Sequence, residues 1–212
     1  DPLGDRLAKH TQSWGLEVFE TTSLGEVSGA TMCRMHDGFH AYEDLAYIET
    51  VDPVTRESLP DGAIGELVVT TLNDRLTPLL RYGSGDLVRI KRGLCGCGRN
   101  HARYDLLGRA TDQILVNGRS ILPREIMGLV ELHDESRAGL FQIVRTAREM
   151  DKLHLRVGYD LARLSGDAGA FRGRLHDAIA AAIDVPLELE LVDEQDLLKL
   201  GPPHKIPRVT SR

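Results

Sequence analysis

The chain has 212 residues, of which 42% are hydrophobic and 27% charged, with a formal net charge of −6. That is ordinary for a globular protein with enough chain for one large or two small cores. The acidic balance argues against a general binder of nucleic acid or of acidic membrane surfaces, and no apolar run approaches the roughly 18 residues that span a bilayer. The start, DPLGDRLAKH, lacks the charged-then-apolar build of a secretory signal. Three cysteines give no paired framework, so a cytoplasmic protein with reduced thiols is expected. The first residue is Asp rather than Met, which reads as a processed or partial chain.

In chain order, the first half reads as strands and turns. LEVFETT, residues 16–22, is apolar and β-branched with partial alternation and predicts a strand. YIETVDPVTRESLPDGAIGELVVTTL reads as strand, turn, strand, punctuated by Pro53, Pro60, Asp61 and Gly62. GDLVRIKRG is a further short strand that runs into the Gly-rich stretch GLCGCGRNH. The second half changes rhythm. DQILVNGRSIL predicts a β-hairpin with Asn117-Gly118 at its turn. Pro123 opens a helix, PREIMGLVELH, at a position where proline is tolerated. LFQIVRTAREMDKLHLRVGYD gives two strands around a polar turn. GDAGAFRGRLHDAIAAAI places Phe171, Leu175, Ile179 and Ile183 at helical spacing, and LELELV closes with strict alternation. Taking the second arm of the hairpin as a first strand, the order is β-α-β-β-α-β, a ferredoxin-like arrangement. The boundary between the two regions is set near Gly108. The tail, LLKLGPPHKIPRVTSR, has paired prolines and little periodicity and is expected to be a surface loop.

Cys95 and Cys97 sit one residue apart, and Cys33 lies in CRMHDGFH with His36 and His40 close behind. Zinc takes four ligands from Cys, His or carboxylate. Cys33 and one of these histidines would complete a tetrahedral set with Cys95 and Cys97, stapling two loops distant in sequence. Against this, Cys-x-Cys is tighter than the usual two-to-four-residue gap. A tight loop around Gly93, Gly96 and Gly98 holding two ordinary thiols is the competing reading. A redox pair is the weakest, since its usual form is Cys-x-x-Cys.

Three further stretches resemble a known family. RYGSGDL (residues 81–87) resembles the Arg-Tyr-Arg-Thr-Gly-Asp-Leu motif of adenylate-forming enzymes. GRATDQILVNGRSILPREI resembles their Gly-Arg-x-Asp-Asp hinge and the hairpin after it. TTSLGEV (residues 21–27) resembles their Tyr-Gly-x-x-Glu motif in the form found in phenylacetate-CoA ligases. That family also carries a Cys seven residues before a His that leads into HxWED, and a CxCGR stretch. Here Cys33 and His40 lead into HAYED, and CGCGR follows. The resemblance runs through nearly the whole chain and is to the C-terminal half of such enzymes. It implies a fold of mixed α/β (α+β) class: residues 1–107 as the β-rich end of the large adenylation domain, and residues 108–212 as a small mobile ferredoxin-like βαββαβ domain with a hinge near 108–112. It implies zinc at Cys33, His40, Cys95 and Cys97, with His36 and His101 in reserve.

The family activates a carboxylic acid with ATP as acyl-AMP, then transfers the acyl group to coenzyme A. Its roles carry over by motif. Glu26 matches the Glu that helps hold Mg²⁺, a hard cation that prefers oxygen ligands. Asp86 matches the acceptor for both ribose hydroxyls, and Arg109 the hinge-motif Arg near ribose and phosphate. Lys205 matches the late lysine that enters the site during adenylation, where a cation offsets charge on the carboxylate and α-phosphate. Without the family, these four read as a solvated surface charge, a turn Asp beside Gly85, a surface ion pair and a solvated tail lysine. There are also departures. Thr111 stands where the hinge motif has Asp, with Asp112 kept. Thr22 replaces the Tyr that lies against adenine, and Ser23 a Gly. Pro202-Pro203-His204 precede Lys205 in place of the usual Pro-Arg-x-x-x-Gly.

The Ser/Thr/Gly-rich phosphate loop of the family is absent from the sequence. The expectation is therefore a chain inactive by itself, whose partners are a small carboxylic acid, aromatic by the family resemblance, and the missing N-terminal half. A homodimer is a further partner that the resemblance implies. The competing reading is a non-catalytic binding module that keeps the fold and the zinc staple; a third is a small zinc protein that recognises a partner.

Overall fold

A computed structural model of the chain describes residues 6–24 and 26–211. Packing divides the chain into two compact units, Asp1–Thr111 and Asp112–Arg212. The sequence reading placed the boundary at 108; the last strand of the first unit continues through Arg109.

The first unit opens with helix α1 (Arg6–Trp14), followed by strands β1 (Thr21–Leu24), β2 (Val27–Met32), β3 (Phe39–Ala41), β4 (Ala46–Val51), β5 (Ile64–Thr71), β6 (Tyr82–Lys91) and β7 (Arg103–Arg109). The seven strands form one sheet in the order β1-β2-β3-β7-β6-β5-β4, with every neighbouring pair antiparallel. Val27, Ala30, Met32, Phe39, Ile48, Leu67, Val69, Val88 and Ile90 belong to its apolar core. Apolar burial of this kind contributes about 25 cal/mol per Å² and holds the sheet together. The strand expected over 16–22 is corrected. Only Thr21 and Thr22 of that stretch join β1, and α1, which the sequence reading did not anticipate, precedes it. Gly15 ends α1 at φ +63°, its amide donating to the Thr11 carbonyl, a left-handed cap that glycine adopts without strain. Leu16 and Phe19 then stay exposed, while Val18 packs against the sheet core and the Glu20 carbonyl accepts from the Met32 amide at 3.0 Å, so only the end of the run meets β2.

The second unit begins with β8 (Ile114–Val116) and β9 (Arg119–Ile121), then α2 (Pro123–Glu131), β10 (Phe141–Arg145), β11 (Glu149–Met150), β12 (Leu153–Tyr159), α3 (Ala168–Ile183), β13 (Leu187–Asp193), α4 (Glu194–Leu198) and β14 (Val209–Ser211). Asn117 and Gly118 both take positive φ, +48° and +77°, as the twisted two-residue hairpin turn requires. Gly118→Ala would place a Cβ in that left-handed backbone, and a loss of about 1 kcal/mol is expected. Urea unfolding with an unchanged midpoint would contradict it. α2 starts with Pro123 at its first position, and Glu125 accepts from the Leu122 amide at 2.8 Å, one half of a reciprocal cap. Phe171, Leu175, Ile179 and Ile183 form the buried stripe of α3. That helix is the crossover between β12 and β13, which pair in parallel along their whole length, as a crossover connection permits.

The four-stranded sheet runs β13-β12-β10-β14, while β9 and β8 join β11 in a separate three-stranded sheet. The place beside β10 is thus taken by the tail, not by the hairpin arm. The surface-loop expectation for the tail is corrected accordingly: β14 pairs in parallel with β10, and Ile206 is buried with Leu140 and Leu197. A three-residue strand after two prolines carries too few residues to display a period. Among the described residues no helix is long and apolar enough to cross a membrane.

Candidate functional site

The sheet of the first unit explains how distant cysteines meet. Cys33 follows the end of β2, His40 is the middle residue of β3, and Cys95 and Cys97 lie in the connection from β6 to β7. β3 is hydrogen-bonded to β2 on one side and β7 on the other, with His40 opposite Thr31 and Arg103. One ligand atom from each of Cys33, His40, Cys95 and Cys97 lies within 4.8 Å of the others. Cys33 Sγ is 3.8 Å from Cys95 Sγ, and Cys97 Sγ is 3.5 Å from His40 Nε2. Ligands on a tetrahedral zinc, about 2.3 Å away for sulfur and 2.1 Å for nitrogen, stand about 3.8 Å and 3.6 Å apart. Burial raises the Cys33 thiol. The Cys97 backbone N–H does most to lower the Cys95 thiol, to about 6, which favours the thiolate that binds metal. His40 is buried, and its Nδ1 has no hydrogen-bond partner among the described residues. Donor set, spacing and burial therefore fit a tetrahedral zinc ion.

The loop between β6 and β7 is held in shape from outside the cluster. The Gly98 amide donates to the Cys95 carbonyl and the Cys95 amide to the Arg99 carbonyl, both at 2.9 Å; Gly93 and Gly98 take the positive φ that the tight turn needs. Glu43, from HAYED, ties both ends of the loop. One carboxylate oxygen meets Arg92 Nη1 at 2.8 Å and the other accepts from the Ala102 amide at 2.7 Å. Sequence reasoning quoted this Glu without giving it a task. The reserve histidines are occupied elsewhere: His36 between Met32 Sδ and Glu17, both at 3.1 Å, and His101 on the Ala41 carbonyl at 3.0 Å.

A second group gathers where β6 meets β7. Asp86 lies opposite Arg109 in the ladder, and Arg109 Nε reaches Asp86 Oδ1 at 3.0 Å. Arg109 Nη1 also donates to the Ser84 carbonyl at 3.0 Å. Desolvation raises the Asp86 carboxyl, Arg109 opposes that, and Glu66 adds to it. Glu26 is exposed on the turn between β1 and β2. It faces the phenol of Tyr82, whose pKa is raised by desolvation and then by the Glu26 charge, with Arg109 acting the other way. Glu26, Tyr82, Asp86 and Arg109 therefore share one neighbourhood. Thr22 lies on β1 opposite Ala30, half-buried. Gly25, within the quoted TTSLGEV motif, is outside the described residues.

Thr111 is exposed in the 3-10 turn Ala110–Asp112, at the junction where the two compact units part. In the second unit, Lys205 ends the 3-10 turn Pro203–Lys205. Its side chain is exposed, its amide donates to the Pro202 carbonyl at 2.8 Å, and the next residue, Ile206, is anchored in the core. The turn thus presents a solvent-facing ammonium on a fixed base.

No family model matches the chain. Among characterised proteins it is 37% identical over 164 residues to phenylacetate-coenzyme A ligase of Thermus thermophilus, covering 74% of this chain and 37% of that protein. The corresponding ligase of Pseudomonas putida is 34% identical over 131 residues, covering 59% of this chain and 29% of that protein. Among solved structures, 2-hydroxyisobutyryl-CoA ligase in the postadenylation state with R3-HIB-AMP superposes at a TM-score of 0.84. It is 26% identical over 99% of this chain and 46% of that one. The chain spans less than half the length of each of these relatives.

Proposed function

Because the chain belongs to the phenylacetate-CoA ligase-like members of the adenylate-forming superfamily, we propose that it is the C-terminal portion of an ATP-dependent acid–CoA ligase. Such a ligase joins a carboxylic acid to the AMP portion of ATP, releases pyrophosphate, and passes the acyl group to the thiol of coenzyme A. The observation that carries the proposal is the Asp86–Arg109 pair beside Glu26. It sets one acceptor carboxylate, one guanidinium fork and one exposed carboxylate in one neighbourhood. The names of the curated relatives make aromatic acids the first substrates to try, and that of the solved relative adds small hydroxy acids.

In this reading the Asp86 carboxylate accepts hydrogen bonds from both ribose hydroxyls, as its two oxygens allow. Arg109 keeps Asp86 ionised against its desolvation and offers its outer N–H groups to phosphate oxygen. Glu26 supplies an oxygen ligand to the Mg²⁺ that accompanies ATP, a cation usually held by one or two carboxylates plus substrate phosphates. Lys205 stabilises the charge that builds between the attacking carboxylate and the α-phosphate. Thr22 borders the adenine, which it cannot stack against as an aromatic residue would. Thr111 lies at the hinge on which the second unit turns between the two half-reactions. Cys33, His40, Cys95 and Cys97 hold a structural zinc, which closes the β6–β7 loop onto β2 and β3 and takes no part in the reaction. Three unpaired cysteines fit a reducing compartment such as the cytoplasm.

The test is acid-dependent ATP–pyrophosphate exchange by the longest native form of the polypeptide. Exchange is expected with at least one aromatic or small hydroxy acid. Lys205→Ala should lower its rate by about 10²-fold or more, the size of effect that follows loss of one preorganised charge-stabilising group, with the fold unchanged. Exchange with no acid tested would favour the non-catalytic module, and exchange unaffected by Lys205→Ala would remove the role given to that lysine.

A further inference from the structure

β6 and β5 do not pair evenly. Glu66 lies opposite Leu87 and Val68 opposite Gly83, so Ser84, Gly85 and Asp86 face a single residue, Leu67. β6 therefore bulges outward at the point where it carries Asp86. The hollow beneath the bulge is filled by Glu66, which is 8% exposed. Glu66 Oε1 accepts from the Gly85 amide at 3.2 Å, and Oε2 is paired with Arg56 Nη1. Arg56 comes from the turn between β4 and β5. The Asp52 carboxylate organises that turn by accepting from the Val54 and Thr55 amides at 2.8 Å. Arg56 closes it at φ +64°, with its own amide on the Asp52 carbonyl.

Gly83 is what makes room. A Cβ at residue 83 would stand 2.5 Å from Glu66 Oε1 and 2.9 Å from Arg56 Nη2, so a side chain there requires the ends of Glu66 and Arg56 to shift. The motif that this stretch resembles has arginine at that position, whereas here Gly83 leaves the place beside Glu66 to Arg56.

We propose that Arg56 and Glu66 are the positioning pair for Asp86. Arg56, from the turn that precedes β5, holds Glu66 on the Gly85 amide, so that the bulge sets the Asp86 carboxylate against Arg109. Neither residue touches nucleotide; both act through the backbone of Gly85. The pairing itself stands on geometry, and its use in nucleotide binding rests on the function proposed above. A buried carboxylate left without its cation loses its hold on the amide, because the remaining charge is better solvated elsewhere.

The experiment compares Arg56→Ala and Arg56→Lys with the unsubstituted chain, reading hydrogen exchange of the Gly85 amide by NMR. Arg56→Ala should speed exchange at Gly85 by about tenfold or more, a charge-assisted hydrogen bond being worth at least that much. Arg56→Lys, which keeps a cation on the turn, should retain most of the protection, a rescue that general destabilisation cannot produce. If Arg56→Ala does not fold, Glu66→Gln, which keeps shape and an acceptor oxygen, should show the same faster exchange. Unchanged Gly85 protection in Arg56→Ala or Glu66→Gln would overturn the proposal, as would a folded Arg56→Lys that exchanges as fast as Arg56→Ala. AMP titration of the longest native form, run in parallel, separates the two claims. Absence of AMP binding defeats the nucleotide reading and leaves the Gly85 amide to decide the pair.

Discussion

Cys97→Ala is expected to lower bound zinc from about one ion per chain to near zero and to destabilise the first unit. The three sulfurs and His40 Nε2 lie at the spacing of a tetrahedral shell. Removing one leaves three ligands and opens the site to water and chelators. The magnitude follows from what the ion ties together. Cys33 and Cys95 are 62 residues apart, and the loop that carries Cys95 and Cys97 has only short backbone turns of its own. Structural zinc binds with an apparent 10–16 kcal/mol or so in small domains, against a total stability of about 5–15 kcal/mol for a unit of this size. Even about 3 kcal/mol of coupled loss should lower the melting temperature by more than about 10 °C. Metal analysis and calorimetry check both halves together. Zinc content and melting behaviour both unchanged in Cys97→Ala would show that the thiols are an ordinary buried cluster.

Phe171→Ala should have the second largest effect, confined to the other unit. The ring is fully buried at the centre of a core that also holds Ile126, Val130, Ile143, Leu155 and Ile179. It stacks edge-on with His133 at 5.9 Å and lies 6.2 Å from Tyr159. Truncation removes the largest apolar side chain of α3 and leaves a cavity with helix on one side and sheet on the other, for a loss of about 3–5 kcal/mol. The contrast is Gly173→Ala on the same helix. That site is exposed, with nothing within 4 Å of an added Cβ, and a gain of about 0.5–1 kcal/mol is expected. Denaturant unfolding resolves both. Equal midpoints for Phe171→Ala and the unsubstituted chain would contradict the packing described for α3.

The sequence displayed features whose cause is local. The stripe of α3 repeats every four residues, and each of its members is buried. Asn117-Gly118 names its own turn, because few other residue pairs accept two positive φ values. The three cysteines and the histidines beside Cys33 were legible from residue type, since such residues in short glycine-rich runs carry a chemical signal without any fold, while the choice of His40 came from the family resemblance. Features caused by distant chain segments were not legible. β14 exists because β10 has an edge to offer, and no period of its own announces it. Glu43 works by spanning from Arg92 to Ala102, and Arg56 by reaching from its turn to Glu66 on β5. In the sequence each is one charged residue among many. The apolar run 16–22 failed in the opposite sense: its pattern suits a strand, but Leu16 and Phe19 stay exposed and Val18 packs against the core from outside any strand.

The most direct test of the ligase account is product analysis. The longest native form of the polypeptide is incubated with ATP, Mg²⁺, coenzyme A and a panel of aromatic and small hydroxy acids, and AMP and acyl-CoA are measured by mass spectrometry. The account predicts AMP and the matching acyl-CoA in equal amounts for at least one acid, with neither formed when the acid is omitted. Failure to form AMP with every acid, by a folded preparation, would contradict it.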